Sequence, residues 1–190
     1  WENKTKKGAQ SMGAFITNFQ SPVELDDLKD RLDCGGITNL DMILHPEKFS
    51  PIEWTVDKEA KIGDVVVFMC AKTSVNHIAH LCKQLKDGGG GASELGIFAE
   101  SQKQNYKRFA GSVVALGRVA EEPFQTEISG WRTPYWRSPW YAKVDEIHVL
   151  RCPVFIEQFR NFISVSRTGA ITKLTDEQWA MLKEVITIEN

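Results

Sequence analysis

Trp131, Tyr135, Trp136, Trp140 and Tyr141 crowd into the stretch from Gly130 to Lys143, interleaved with Arg132, Arg137 and Lys143. Gly130, Pro134, Ser138 and Pro139 break any helical or strand pattern there, so these rings have poor access to a core. Leaving large aromatics in water is costly, and a cluster of them marks a surface that meets something. Flat rings beside guanidinium groups suit stacking on a planar ligand and pairing with phosphate, the two features a nucleobase on its backbone presents. The competing explanation is that some of the rings pin a long loop onto a sheet.

A second set of side chains could read the edge of such a ligand. Asn18, Gln20, Ser21, Thr38 and Asn39 are small polar residues at predicted strand ends and turns. Capping and turn formation are the ordinary use of these types, and Ser21 reads as a helix cap. Amides at a pocket mouth are equally what recognises a base edge. Metal and nucleophile chemistry is less well supported. His77 and His80 lie three apart on one predicted helix, near Cys82 and Cys70, but no second close pair completes a four-ligand site. The run Gly88 to Gly91 lacks the Gly-Lys-Ser/Thr ending of a phosphate-binding loop. No Gly-x-Ser-x-Gly elbow is present, and Asp57, Asp64, Glu100, Asp145 and Glu146 are scattered without pairing. We therefore expect no catalytic residues, no metal and no cofactor.

The elements that position these residues follow from local pattern. Residues 1–12 are polar and lysine-rich and are expected to form a flexible arm. GAFITNF (13–19) reads as a strand. Ser21-Pro22-Val23-Glu24 reads as a capping box that opens a helix to about Leu32. Residues 37–60 read as irregular, with turns at Pro46 and Pro51. Ile62 to Ala71 is a Gly-Asp turn followed by a buried strand. Val75 to Lys86 places apolar residues on one helical face, stopped by Asp87 and the glycines. Leu95 to Glu100, Gly111 to Ala120 and Tyr141 to Leu150 read as further strands. Pro153 opens a short helix through Phe159, and Thr175 with Gln178 caps a final helix ending near Ile186. The sum is one α+β domain, a curved or closed sheet with helices outside.

At 190 residues the chain can bury its own core. A net charge of −2 argues against coating nucleic acid indiscriminately, so any such contact needs a local basic patch and a discriminating pocket. No apolar run approaches membrane-spanning length and no signal peptide is visible. Cys34, Cys70, Cys82 and Cys152 follow no paired spacing. Cys70 and Cys152 lie in or beside apolar runs and read as buried thiols of a cytoplasmic protein. The chain opens on Trp1, which leaves room for a further domain on either side.

Four segments together resemble the EVE domain of the PUA-like superfamily, related to YTH and ASCH domains. AFITNFQSPVELDDL (14–28) is similar to the opening strand, polar turn and first helix. Ala60 to Phe68 resembles the strand introduced by a lysine and Gly-Asp, and GSVVALGRVAEEPF (111–124) the strand with a glycine before a basic residue. WYAKVDEIHVLRCPVFIEQF (140–159) and FISVSRTGAITKLTDEQWAMLKEVI (162–186) resemble the end of the family. Two departures stand out: Cys34 to Asn39 lacks the usual tryptophan-bearing turn, and residues 72–109 look like an insertion with a helix and a glycine-rich loop.

The resemblance implies a PUA-like, partly closed β-barrel flanked by helices, over residues 13–190, with a pocket for one flipped and often modified base. On that reading Trp136 and Trp140 stack on the base, with Trp131 and Tyr141 as alternates. Asn18, Gln20 and Asn39 bond its edge, and Phe68 or Cys70 lines the pocket floor. Arg132, Arg137 and Arg167 hold flanking phosphates. The expected partner is DNA or RNA carrying a modified base, with a fused or associated effector domain in a restriction or RNA-regulatory system. Two alternatives stay open: an ASCH-like ribonuclease or hydrolase on the same barrel, and a protein-interaction module whose aromatic loop is the docking patch.

Overall fold

Strand β1 (Ala14–Phe19) and strand β3 (Val65–Cys70) are six-residue runs in which every residue is buried. Such runs form where a sheet is covered on both faces, and the two strands pair in parallel from Ala14↔Val65 to Phe19↔Cys70. Alternation then sorts their side chains. Phe15, Phe19, Val66, Phe68 and Cys70 enter one core; Ala14, Ile16, Val65, Val67 and Met69 enter a second core on the opposite face. The computed structural model describes residues 12–125, 139–166 and 170–190. The expected N-terminal arm lies outside them apart from Met12.

A parallel pair needs a crossover. Here it carries α1 (Leu25–Asp33), α2 (Asn39–Leu44), α3 (Pro46–Phe49) and a short strand, β2 (Ile52–Thr55). Strand β4 (Ser112–Val119) runs antiparallel to β3, and the long β6 (Trp140–Phe155) runs antiparallel to β4. β7 (Ile171–Leu174) edges β1, while β5 (Phe124–Gln125) pairs the start of β6. The order is β2-β6-β4-β3-β1-β7.

β2 lies four positions from β1 in that order, which is about 19 Å in a flat sheet. Yet the Trp54 indole N–H donates to Thr17 Oγ1 at 3.1 Å, and Thr17 Oγ1 reaches the Thr55 carbonyl at 3.4 Å. The sheet therefore curls until β2, at one edge, meets β1, one strand in from the other edge. Two register shifts between β4 and β6, and a positive φ of 48° at Glu146, bend the long strand as bulges do. Phe19 and Phe68 pack edge-on against Trp54 inside the curl, with ring centroids 6.1 and 5.4 Å away. The fold is α+β, a partly closed barrel flanked by helices.

Helices α4 (Ser74–Asp87) and α5 (Glu94–Phe109) form a hairpin on the barrel side, burying Ile78, Leu81, Cys82, Ala99 and Tyr106. Helix α6 (Asp176–Glu189) covers the other face through Leu182 and Ile186. It starts at the predicted capping box, with Thr175 Oγ1 accepting from Gln178 N. Among the described residues no helix is long and apolar enough to cross a membrane.

Five readings of the sequence are corrected. Leu95–Glu100 is not a strand but the first turns of α5: Ser93 caps it and apolar positions recur at helical spacing through Tyr106. Residues 37–60 are not irregular, because Thr38 and Asp41 form a capping box for α2 and β2 finds its partner far along the chain in β6. Pro153 opens no helix; it sits within β6, and only a short 3-10 turn, Ile156–Gln158, follows. Cys152 is exposed. Ser21 does not cap α1, whose N-cap is Glu24 with no side-chain bond.

Ser21 instead forms a latch. Its N–H donates to Ser74 Oγ at 3.2 Å and its hydroxyl to the Ser74 carbonyl at 2.8 Å, tying the turn after β1 to the turn after β3. Both serines are buried. Ser74→Ala leaves the Ser21 N–H without an acceptor, and should lower unfolding free energy by about 1–3 kcal/mol in urea titrations. An unchanged midpoint would rule the latch out.

Candidate functional site

The parallel pair ends both of its strands at the same edge, so the chain leaves β1 and β3 side by side, joined by the Ser21–Ser74 latch. A cavity lies on each side of that latch.

The first, of about 90 Å³, is on the barrel-core side and is lined by Gln20, Ser21, Arg31, Thr38, Asn39 and Tyr106, among others. Three elements build it. The Thr38–Asp41 box holds Asn39 as the first residue of α2: Thr38 N donates to Asp41 Oδ2 at 2.9 Å and Thr38 Oγ1 does so at 2.7 Å. Arg31 comes from α1, paired with Asp27 at 3.5 Å. Tyr106 comes from α5 and is fully buried. Two of the lining residues carry a polar atom, Gln20 Oε1 and the Tyr106 hydroxyl, that is buried without a hydrogen-bond partner. The Tyr106 hydroxyl lies beside Thr38 and the Leu40 backbone. Burial pushes its pKa far up, so it stays a phenol and a donor. Gln20 Oε1 is thus an acceptor, and the Tyr106 hydroxyl a donor, that the protein's own hydrogen bonding leaves unsatisfied.

The second cavity, of about 650 Å³, opens on the opposite face of the sheet. Asn18, Met69 and Ile163 form its inner wall and Lys72, Glu157 and Arg160 stand at its edge. Asn18 is 7% exposed, and its amide nitrogen reaches the Ser166 carbonyl at 3.4 Å. Lys72 Nζ meets Glu157 Oε1 at 2.9 Å. That bond, with the charge of Arg160 nearby, holds the Glu157 carboxyl below the usual carboxylate range.

No family model matches this sequence, and no curated protein matches it. Among solved structures it is similar to the crystal structure of protein Atu2648 from Agrobacterium tumefaciens. The identity is 12%, the TM-score 0.46, and the match covers 94% of this chain and 93% of that one.

Of the residues singled out from sequence, Gln20 and Asn39 meet in the first cavity. Asn18 does not join them: within β1 it has the same parity as Ala14 and Ile16 and faces the second cavity, whereas Gln20 lies past the strand's end at Phe19 and is outside that alternation. Phe68 and Cys70 line neither cavity; both are wholly buried inside the barrel. Burial pushes the Cys70 thiol up to about 12, with Ser74 Oγ 3.9 Å away. Trp140 and Tyr141 begin β6 half-buried. The Trp140 carbonyl accepts from Val56 N at 3.0 Å, and Tyr141 pairs with Thr55 and Phe124. Trp131, Arg132, Trp136, Arg137 and Arg167 lie outside the described residues. His77 is half-buried, and burial lowers its pKa. Among the described residues no group of three or more His, Cys, Asp or Glu side chains could hold a metal ion.

Sequence reasoning missed Tyr106, Lys72 and Arg160. Tyr106 was legible in principle, four residues after Gln102 on a face that buries both, had residues 94–109 been read as helix.

Proposed function

We propose that this chain is a non-catalytic reader of a nucleobase turned out of its stack in DNA or RNA, modified in the preferred target. One observation carries the reading: Gln20 Oε1 and the Tyr106 hydroxyl are buried, unpartnered, and share a cavity with Asn39. Each such atom costs roughly 1–3 kcal/mol when left unbonded. A ligand edge with an adjacent donor and acceptor recovers that cost on binding. Flipping a base takes about a few kcal/mol, and stacking on an aromatic returns roughly 1–3 kcal/mol per base. Trp136 and Trp140 supply the stacking, with Trp131 and Tyr141 as alternates, and Arg132, Arg137 and Arg167 hold flanking phosphates.

The resemblance to the EVE domain supports the same reading, including a fused or associated effector. All four cysteines are free, which fits a reducing, cytoplasmic setting.

The test is a tryptophan fluorescence titration with matched single strands and duplexes. They carry unmodified cytosine, 5-methylcytosine, 5-hydroxymethylcytosine or N6-methyladenine. Quenching should depend on the modification. Gln20→Ala should weaken binding, and Tyr106→Phe should do so by about tenfold, the loss of roughly 1.4 kcal/mol. Tyr106→Phe should also hold or raise the melting temperature, because it deletes a buried hydroxyl whose hydrogen bonding the fold leaves unsatisfied. Flat titrations with every ligand would overturn the reading. So would a Tyr106→Phe protein that melts earlier and binds unchanged, since the hydroxyl would then serve the fold alone.

A further inference from the structure

The geometry points to the larger cavity, on the sheet face opposite Gln20 and Tyr106, as a second binding site for a phosphorylated nucleoside unit. Its volume of about 650 Å³ falls in the range of small-ligand sites. Its walls divide by chemistry. Met69, Ile156, Ile163 and Val165 make an apolar side on which a ring or sugar can lie. Asn76 and Ser164 are exposed hydrogen-bonding groups at the opening. Lys72 and Arg160 stand at the rim as the cations.

Anion binding at that rim needs a group that can be exchanged, and Glu157 is that group. It bonds Lys72 at 2.9 Å, and the side chains of both are about half exposed or more. An ion pair so open to water is weak and salt-screened, so a phosphate with more charge and more acceptor oxygens displaces the carboxylate. Helix α4 begins at the same wall, where Thr73 makes no side-chain cap and the first turn holds no acid. Its dipole therefore adds to the two cations and no acid of its first turn opposes it.

Two sources supply this ligand chemistry: a free mononucleotide, or the nucleotide next to the flipped base. Asn18 in this cavity and Gln20 in the other are two residues apart, about 7 Å along an extended chain. A strand lying across the end of β1 can therefore reach both. The second source rests on the base-reading function proposed above; the first does not.

Calorimetric titrations of the full chain with AMP, CMP, GMP and UMP test the site, alongside the matching nucleosides, inorganic phosphate and the modified oligonucleotides. The expected result is mononucleotide binding that exceeds that of either the nucleoside or phosphate alone. The Lys72→Ala/Arg160→Ala variant should weaken it at least tenfold. Glu157→Gln should strengthen it several-fold, because the competing carboxylate is gone. If the nucleotide comes from a strand, the double variant lowers affinity for modified and unmodified oligonucleotides equally and leaves their ratio intact. Mononucleotide binding without any preference for a modified base would keep this site and sink the base-reading function. Two results overturn the site itself. One is inorganic phosphate binding as tightly as the nucleotides. The other is neither nucleotides nor oligonucleotides responding to the double variant and to Glu157→Gln.

Discussion

Trp54→Ala should destabilise the protein by about 3–5 kcal/mol, the range for emptying a large aromatic from a packed core. Trp54 is 7% exposed, packs edge-on against Phe19 and Phe68, and donates its indole N–H to Thr17. It is the side chain through which β2, at one edge of the sheet, reaches β1, so its loss removes packing and opens the curl together. At roughly 2–4 °C per kcal/mol for a chain of this size, the melting temperature should fall by about 6–20 °C. Trp54→Phe separates the two contributions. It keeps most of the ring contact and gives up the bond to Thr17, and should cost about 1–2 kcal/mol. Equal losses in the two variants would mean that the hydrogen bond rather than the packing closes the barrel. Because Thr17 precedes Asn18 and lies three residues before Gln20, the alanine variant should also loosen both cavities.

Gly117→Ala should cost about 1–3 kcal/mol, by overpacking. A Cβ at Gly117 would stand 2.7 Å from Val144 Cγ1 and 3.0 Å from Phe68 Cε2. Both neighbours are fully buried, so neither side chain can swing into solvent. The glycine lies at the second of the two register shifts between β4 and β6, between Leu116 and Arg118. Pairing Gly117→Ala with Val144→Ala in a double-mutant cycle should show favourable coupling of at least about 0.5 kcal/mol, because shortening Val144 makes room for the new methyl. Strict additivity would mean that the strain lies in the backbone and not in that contact. Val66, the register partner of Gly117 on β3, pairs through the backbone and should not need to move.

The elements set by local pattern were legible in the chain itself. β3 is an unbroken apolar run and β1 is apolar but for Thr17 and Asn18, α4 has its apolar residues on one face, and α6 begins at the Thr175–Gln178 box. Each is decided within a few residues, by side-chain period and capping chemistry. The same local logic failed where another part of the chain had the deciding vote. GIFA in 96–99 suits a strand or a helix, and became helix because Leu95, Phe98 and Ala99 pack inward beside α4. Ser21 carries a cap signature, yet its hydroxyl bonds Ser74, 53 residues on. β2 is four residues long and has no strand until β6 arrives to pair with it.

The candidate site divides in the same way. Side-chain type was enough to single out Gln20 and Asn39 as candidate site amides, and the fold places both at one cavity. Strand parity in β1 sets Asn18 apart from Phe15 and Phe19, but nothing in the spacing could show that Gln20 and Asn39 share a cavity on the other face, that Phe68 and Cys70 sit inside the barrel, or that Tyr106 lines that cavity from α5. By itself the sequence determined which segments are helix or strand wherever short-range periodicity was unambiguous, and which polar residues were candidates for a site. Only the tertiary structure decided which of them share a cavity. That depends on strand parity, on the curl closed by Trp54 and Thr17, and on the α4–α5 hairpin docking against the barrel, all of them contacts between residues far apart in the chain.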